Sequence, residues 1–173
     1  MSEVAQRRAL ADRLPPQWRA QSNAERPIEF RRVDVTDLLN PELRPAERQI
    51  WLRALAVLPD EPALHCAVLA YASDWGLLRV ALRPHGLSLL QRGVRGASLD
   101  HAMWFHRPLR VDDWLLYCID SPSAYAARAL CRGELYARDG ALVASVAQEG
   151  MLRVLSKQYL LAPNRRALQS LLA

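Results

Sequence analysis

The chain has 173 residues, of which 51% are hydrophobic, 24% charged and 7% aromatic, and it carries a formal charge of +5. That length fits one domain, and the apolar share is too high for a disordered chain. The longest run without Asp, Glu, Lys or Arg, from Pro62 to Ser73, is far short of the ~20 apolar residues that span a bilayer.

An amphipathic pattern over residues 4–14 predicts a helix that breaks at Pro15-Pro16, and residues 18–27 read as a polar linker. Residues 28–35 and 50–57 are rich in strand formers, with a loop through Pro41 and Pro45 between them. The strongest helix comes next. Asp60 is placed as its N-cap, Pro62 sits in the first turn, and Gly76 supplies the stop. Leu64, Ala67, Val68 and Tyr71 make its apolar face, and so few polar residues imply a helix wrapped by other structure.

Four strands are expected after that, over residues 96–106, 113–120, 125–138 and 141–154. Arg107-Pro108, Ser121-Pro122-Ser123 and Asp139-Gly140 separate them, the last being a strong hairpin signal. A helical tail over residues 164–172 follows Pro163. This order predicts an α+β domain, an antiparallel sheet of about five to six strands curled around a central helix. Its expected bounds are 27–158, with a helical extension and linker over 1–26 and a tail over 159–173.

Several chemistries fall away. The basic residues number 23, all arginine except Lys157, and they are scattered among carboxylates rather than set in a stripe, which argues against nucleic acid. Three cysteines without C-x-x-C spacing make neither a disulfide framework nor a zinc site and suit a reducing cytoplasm. No secretory leader is visible in the first twenty residues. There is no G-x-S-x-G, no H-E-x-x-H and no Gly-rich phosphate loop.

Some polar residues sit awkwardly. Asp74 ends the apolar helix, where the dipole disfavours a carboxylate by roughly 0.3–1 kcal/mol. It is either solvated in a fraying turn or a general base held in a cleft. Gln148 is the one hydrogen-bonding side chain in the row Leu142, Ala144, Val146, Gln148, Gly150, Leu152, Val154. A buried amide must find partners, whether a neighbouring backbone, a ligand or a water. Ser98 falls in the polar row of its strand with Asp100, opposite Ala97, Leu99, Met103 and Phe105, and parity gives it no role. Asp100-His101 is a possible acid–base pair, although parity puts His101 in the apolar row.

The run Ser98-Leu-Asp-His-Ala-Met-Trp-Phe-His106, with Tyr71-Ala-Ser-Asp74, Arg132-Gly-Glu-Leu-Tyr136 and Gln148-Glu-Gly150, resembles the second half of acyl-CoA thioesterase II enzymes. The similarity runs over residues 25–153. It implies a hotdog fold and hydrolysis of fatty acyl-CoA to fatty acid and coenzyme A, with no cofactor or metal. It also implies that Asp74, Ser98 and Gln148 position and activate one water. Arg92 and Arg95, around Gly93, are candidates for the coenzyme A phosphates by location only.

The family carries two hotdog units per chain, with the substrate groove between them, and this sequence matches only the second. Two copies pairing edge to edge would rebuild that groove, as would a separate first-half chain. A non-catalytic acyl-CoA-binding module and a hydratase using Asp100 and His101 are the other readings.

Overall fold

In the computed structural model, residues 26–34 and 39–155 are described, together with residues 5 and 12. The expected N-terminal and C-terminal helices lie outside the described residues, apart from those two positions. Between residues 26 and 155 the described residues form seven strands and one α-helix, in order: β1 (Ile28–Arg32), β2 (Glu47–Ala54), α1 (Pro62–Ser73), β3 (Val94–Ser98), β4 (Ala102–Phe105), β5 (Leu115–Tyr125), β6 (Arg128–Tyr136) and β7 (Leu142–Val154). The sheet is antiparallel throughout, in the order β1-β2-β5-β6-β7-β3, and β4 pairs with β7 beside β3. Because β3 and β4 share one edge of β7, the seven strands fill six positions.

Alternation builds the core. Inward residues such as Ile50, Leu52, Leu115, Tyr117, Leu135, Val146 and Leu152 are all buried. Over them lies one helical run, bent where Gly76 takes a left-handed φ of 83°. Its first arm, α1, buries His65, Leu69, Ala72 and Ser73. The second is a 3-10 segment, Leu78–His85, which buries Leu78, Val80, Ala81 and Leu82. A sheet curled over a bent helix is the hotdog arrangement that the resemblance implies.

Several expectations change. The N-cap of α1 is Glu61, not Asp60, and it makes no side-chain cap bond; Asp60 instead accepts from Arg110. The face toward the core is turned from the expected one, leaving Ala67 and Tyr71 exposed, so the helix is covered on one side only. Ser121-Pro122-Ser123 is no turn. The chain stays extended as a bulge in β5, where Pro122 has no N–H to lose from the ladder. The hairpin closes at Ala126-Ala127, both at positive φ, a geometry normally signalled by Gly or Asn. Asp139-Gly140 does form the β6–β7 turn, with Gly140 at φ 86°.

The expected single strand over residues 96–106 is broken. The N–H groups of Leu99 and Asp100 both reach the Glu149 carbonyl, and the Glu149 N–H donates to Asp100 Oδ1 at 2.6 Å. Val94, Gly96 and Ser98 point inward before the break; Met103 and Phe105 share the inward row of Val146 and Ala144 after it. The inward parity thus switches from even to odd residue numbers, as a one-residue slip requires.

Candidate active site

Asp74 is the C-cap of α1, where the helix leaves its last turn. Gln148 projects from the middle of β7 and is 1% exposed. Its Nε2 donates to Asp74 Oδ1 at 2.6 Å. Ser98, at the inner end of β3 and opposite Gly150, donates from Oγ to the same oxygen at 3.2 Å. Three residues distant in sequence therefore meet at one carboxylate oxygen.

The arrangement leaves specific atoms free. Ser98 has spent its one proton on Asp74, so its oxygen can still accept. Gln148 Oε1 is buried and accepts no hydrogen bond. Asp74 Oδ2 makes no bond among the described residues, and Asp74 itself is exposed. The Ser98 oxygen, still able to accept, and the free carboxylate oxygen of the exposed Asp74 can orient a water and take its proton.

The supporting layer centres on Ser73, which is fully buried. Its carbonyl accepts from the Tyr117 hydroxyl at 2.9 Å. Burial, reinforced by the nearby Cys131 and Asp74, pushes the Tyr117 phenol well above its ordinary value, so it remains a neutral donor. Gly133 makes room for that ring, since a Cβ there would lie 2.2 Å from Tyr117 Cε2. Ser73 Oγ donates to the Ala70 carbonyl at 2.9 Å and contacts His101 Nε2 at 2.9 Å, so the imidazole is the donor in that bond. Ser73, Tyr117 and Gly133 were not singled out from sequence; a glycine inside a strand pattern is the signal that marks such a close approach.

Asp100 and His101 do not act as a pair: Asp100 holds the Glu149 amide, while His101 reaches α1. Arg92 precedes β3, and Arg95 stands on the face of β3 opposite Ser98, across from Arg153. Both are exposed, and neither makes a side-chain bond to Asp74, Ser98 or Gln148.

A curled sheet with a carboxylate, a hydroxyl and an amide meeting at the end of its helix defines a protein of the hotdog class. The family model for acyl-CoA thioesterase matches residues 18–151, and the chain belongs to that family. It is 35% identical over 144 residues to acyl-CoA thioesterase 2 of Haemophilus influenzae, covering 83% of this chain and 50% of that one. To acyl-coenzyme A thioesterase 8 of Mus musculus it is 40% identical over 131 residues, covering 75% and 40% respectively. Among solved structures, an acyl-CoA thioesterase II from Mycobacterium marinum superposes with a TM-score of 0.63 at 41% identity, covering 84% of this chain and 54% of that one. The chain spans about half the length, or less, of these relatives. No described helix is long and apolar enough to cross a membrane.

Proposed function

We propose that this protein hydrolyses fatty acyl-CoA thioesters by direct attack of a water held at Asp74, Ser98 and Gln148. The observation that carries the reading is the convergence of Ser98 Oγ and Gln148 Nε2 on Asp74 Oδ1, which leaves Oδ2 free. The water oxygen bonds to the thioester carbonyl carbon as its proton passes to Asp74 Oδ2. The tetrahedral adduct then breaks its C–S bond, and Asp74 returns the proton to the departing thiolate. Free acid and coenzyme A leave, and no covalent acyl-enzyme forms. Arg92 and Arg95 are the candidate contacts for the coenzyme A phosphates.

The test is thiol release from a medium- or long-chain acyl-CoA. Wild type should turn over, with Asp74→Asn and Gln148→Ala severely impaired. Release at equal rates in all three proteins would refute the assignment. Coenzyme A raising the melting temperature of a wild type without turnover would identify a binding module instead.

The groove is expected to need a second unit, and a second copy of this chain is the proposed source. Leu99 is 53% exposed, Trp104 54% and Phe105 42% along the free edge of β3 and β4, with Tyr71 at 74% on the adjoining helix. Pairing copies along that edge would remove both an unpaired strand and a row of exposed apolar side chains. Light scattering should give a dimer at micromolar concentration. A monomer that gains activity only with a separate first-half chain would replace the second copy as partner.

A further inference from the structure

The inner face of the sheet has a gap in its side chains beside the Asp74 centre. Gly150 stands directly opposite Ser98, and Gly96 opposite Leu152, in the ladder between β3 and β7. Both glycines lie in the inward rows, Gly150 next after Gln148 on β7 and Gly96 next before Ser98 on β3. Glycines inside strands weaken a sheet, and they recur where something must approach the backbone closely.

The group that approaches is Leu78, the first residue of the 3-10 segment. A Cβ on Gly150 would run into Leu78 Cδ1 and lie 2.7 Å from its Cδ2, and a Cβ on Gly96 would lie 3.3 Å from that Cδ2. Leu89 and Leu152 close the far side, at 3.0 and 3.2 Å from the same Gly96 position. Leu78 is 7% exposed, so its side chain fills the gap. Side chains directly opposite on antiparallel strands begin about 5 Å apart, which puts the Leu78 methyls in the immediate neighbourhood of the Ser98 hydroxyl.

The chemistry of an acyl thioester gives this arrangement a use. A thioester whose carbonyl meets a water at Asp74 and Ser98 gains by laying its alkyl chain on apolar surface. From Ser98 the inward row passes Gly96 to Val94, with Leu152 and Val154 beside it on β7, and these three apolar side chains are buried. The two glycines leave room along that row for a slim chain once the Leu78 side chain turns to another staggered rotamer. Leu78 is also carried on a short piece of its own, bounded by Gly76 and Gly86 at left-handed φ of 83° and 62°.

We propose that Leu78 limits the acyl-chain length that the Asp74 centre accepts, with the chain lying over Gly150 and Gly96 and stopped at Leu89 and Leu152. A medium-length chain fits the room that Leu78 yields, and a long one needs room that only its removal gives. The inference rests on the thioesterase reading and narrows its substrate to medium-chain acyl groups.

The full chain and its variants are compared by kcat/KM on octanoyl-CoA and palmitoyl-CoA, and by calorimetric affinity for the inert thioethers S-octyl- and S-hexadecyl-coenzyme A. Wild type should favour the shorter chain in both measurements. Leu78→Ala should raise the palmitoyl-to-octanoyl ratio about tenfold or more, as room for added methylenes does. Gly96→Ala, whose methyl meets only the ends of leucine side chains, should keep the fold and lower the ratio. A leucine that only packs the core would, when truncated, depress both substrates alike and leave the ratio unmoved. That result, a wild type that prefers palmitoyl-CoA, or a shift in the same direction in both variants would overturn the proposal. A wild type that binds the thioethers without turning over either substrate would sink the thioesterase reading alone. The ratio of thioether affinities in Leu78→Ala would then decide the part played by Leu78.

Discussion

Gln148 Nε2 donates to Asp74 Oδ1 at 2.6 Å, tying the middle of β7 to the end of α1. The two residues are 74 positions apart, so the bond exists only when the sheet has closed over the helix. It also settles why a buried amide is tolerated in an otherwise apolar row. One of its polar atoms is spent on a carboxylate, where a charge-assisted bond is about twice as strong as a neutral one.

Replacing Asp74 with Asn keeps the shape and the Gln148 neighbour but removes the base. Acyl-CoA hydrolysis should fall by about 10²–10⁴-fold, the range for loss of a positioned general base. Because Asp74 is exposed at a helix end, its melting temperature should barely move. Equal kcat in wild type and variant would remove Asp74 from the chemistry.

Ser98 contributes a hydroxyl and little packing, since it is exposed at the end of β3. Ser98→Ala should lower kcat about tenfold or more with little change in stability, while Ser98→Thr, which keeps the hydroxyl, should retain most activity. Steady-state kinetics with one acyl-CoA distinguishes the two. An alanine variant as active as wild type would show that Ser98 neither fixes Asp74 nor meets the water.

Asp74 and Gln148 were legible because each breaks a local rule, a carboxylate at a negative helix end and a lone amide among apolar neighbours. Ser98 broke none. Its inward direction depends on the slip at Asp100, which is made by Asp100 and Glu149 together and leaves no trace in the alternation of one strand. The buried face of α1 was misread for a related reason. Its residues are apolar nearly all round, so the pattern does not say which side meets the sheet, and Tyr71 was placed inside although it is 74% exposed. The Ala126-Ala127 turn carries no Gly or Asn to announce it. The resemblance supplied Ser98, and the family match supports its premise.

Asp100→Ala should separate architecture from chemistry at the broken edge. Without its carboxylate the Glu149 N–H loses its acceptor, at a cost of about 1–2 kcal/mol in urea unfolding. Activity should also fall, because Ser98 is two residues away on the same edge. Asp100→Asn retains an oxygen for the amide and should recover most of both. If Asp100→Asn instead abolished turnover in a stable protein, the charge of Asp100 would be needed for the chemistry and not only for the shape of the edge.

Gly133→Ala tests the layer behind Asp74. The added Cβ would lie 2.2 Å from Tyr117 Cε2, and the ring cannot yield without giving up its bond to the Ser73 carbonyl. A loss of about 1–3 kcal/mol is expected from the overpacking, with a larger fall in kcat than in KM-dependent binding. Tyr117→Phe, which keeps the ring and removes only the hydroxyl, should cost less stability and still lower kcat. An unchanged kcat in both variants would show that Asp74 does not depend on the Ser73 anchor.

The opposite end of α1 makes a prediction about pH. Asp112 accepts from Arg110 Nε at 3.1 Å and Nη2 at 2.9 Å, and from the Leu58 N–H at 2.9 Å, pinning the loop that leads into the helix. The Arg110 bonds first, and the Leu58 N–H second, hold its carboxyl at about 2. In the unfolded chain the group titrates near ~3.9. A depressed folded value means that its stabilisation is complete above about 4 and drains away as pH falls toward about 2. Asp112→Asn should therefore be less stable than wild type at pH 7, by about 1–2 kcal/mol. The gap should narrow between pH 4 and pH 2, and close below that. Urea melts of both proteins at pH 7, 4 and 2 check this, and a gap that stays constant across the three would mean that Asp112 stabilises the loop by its shape rather than its charge.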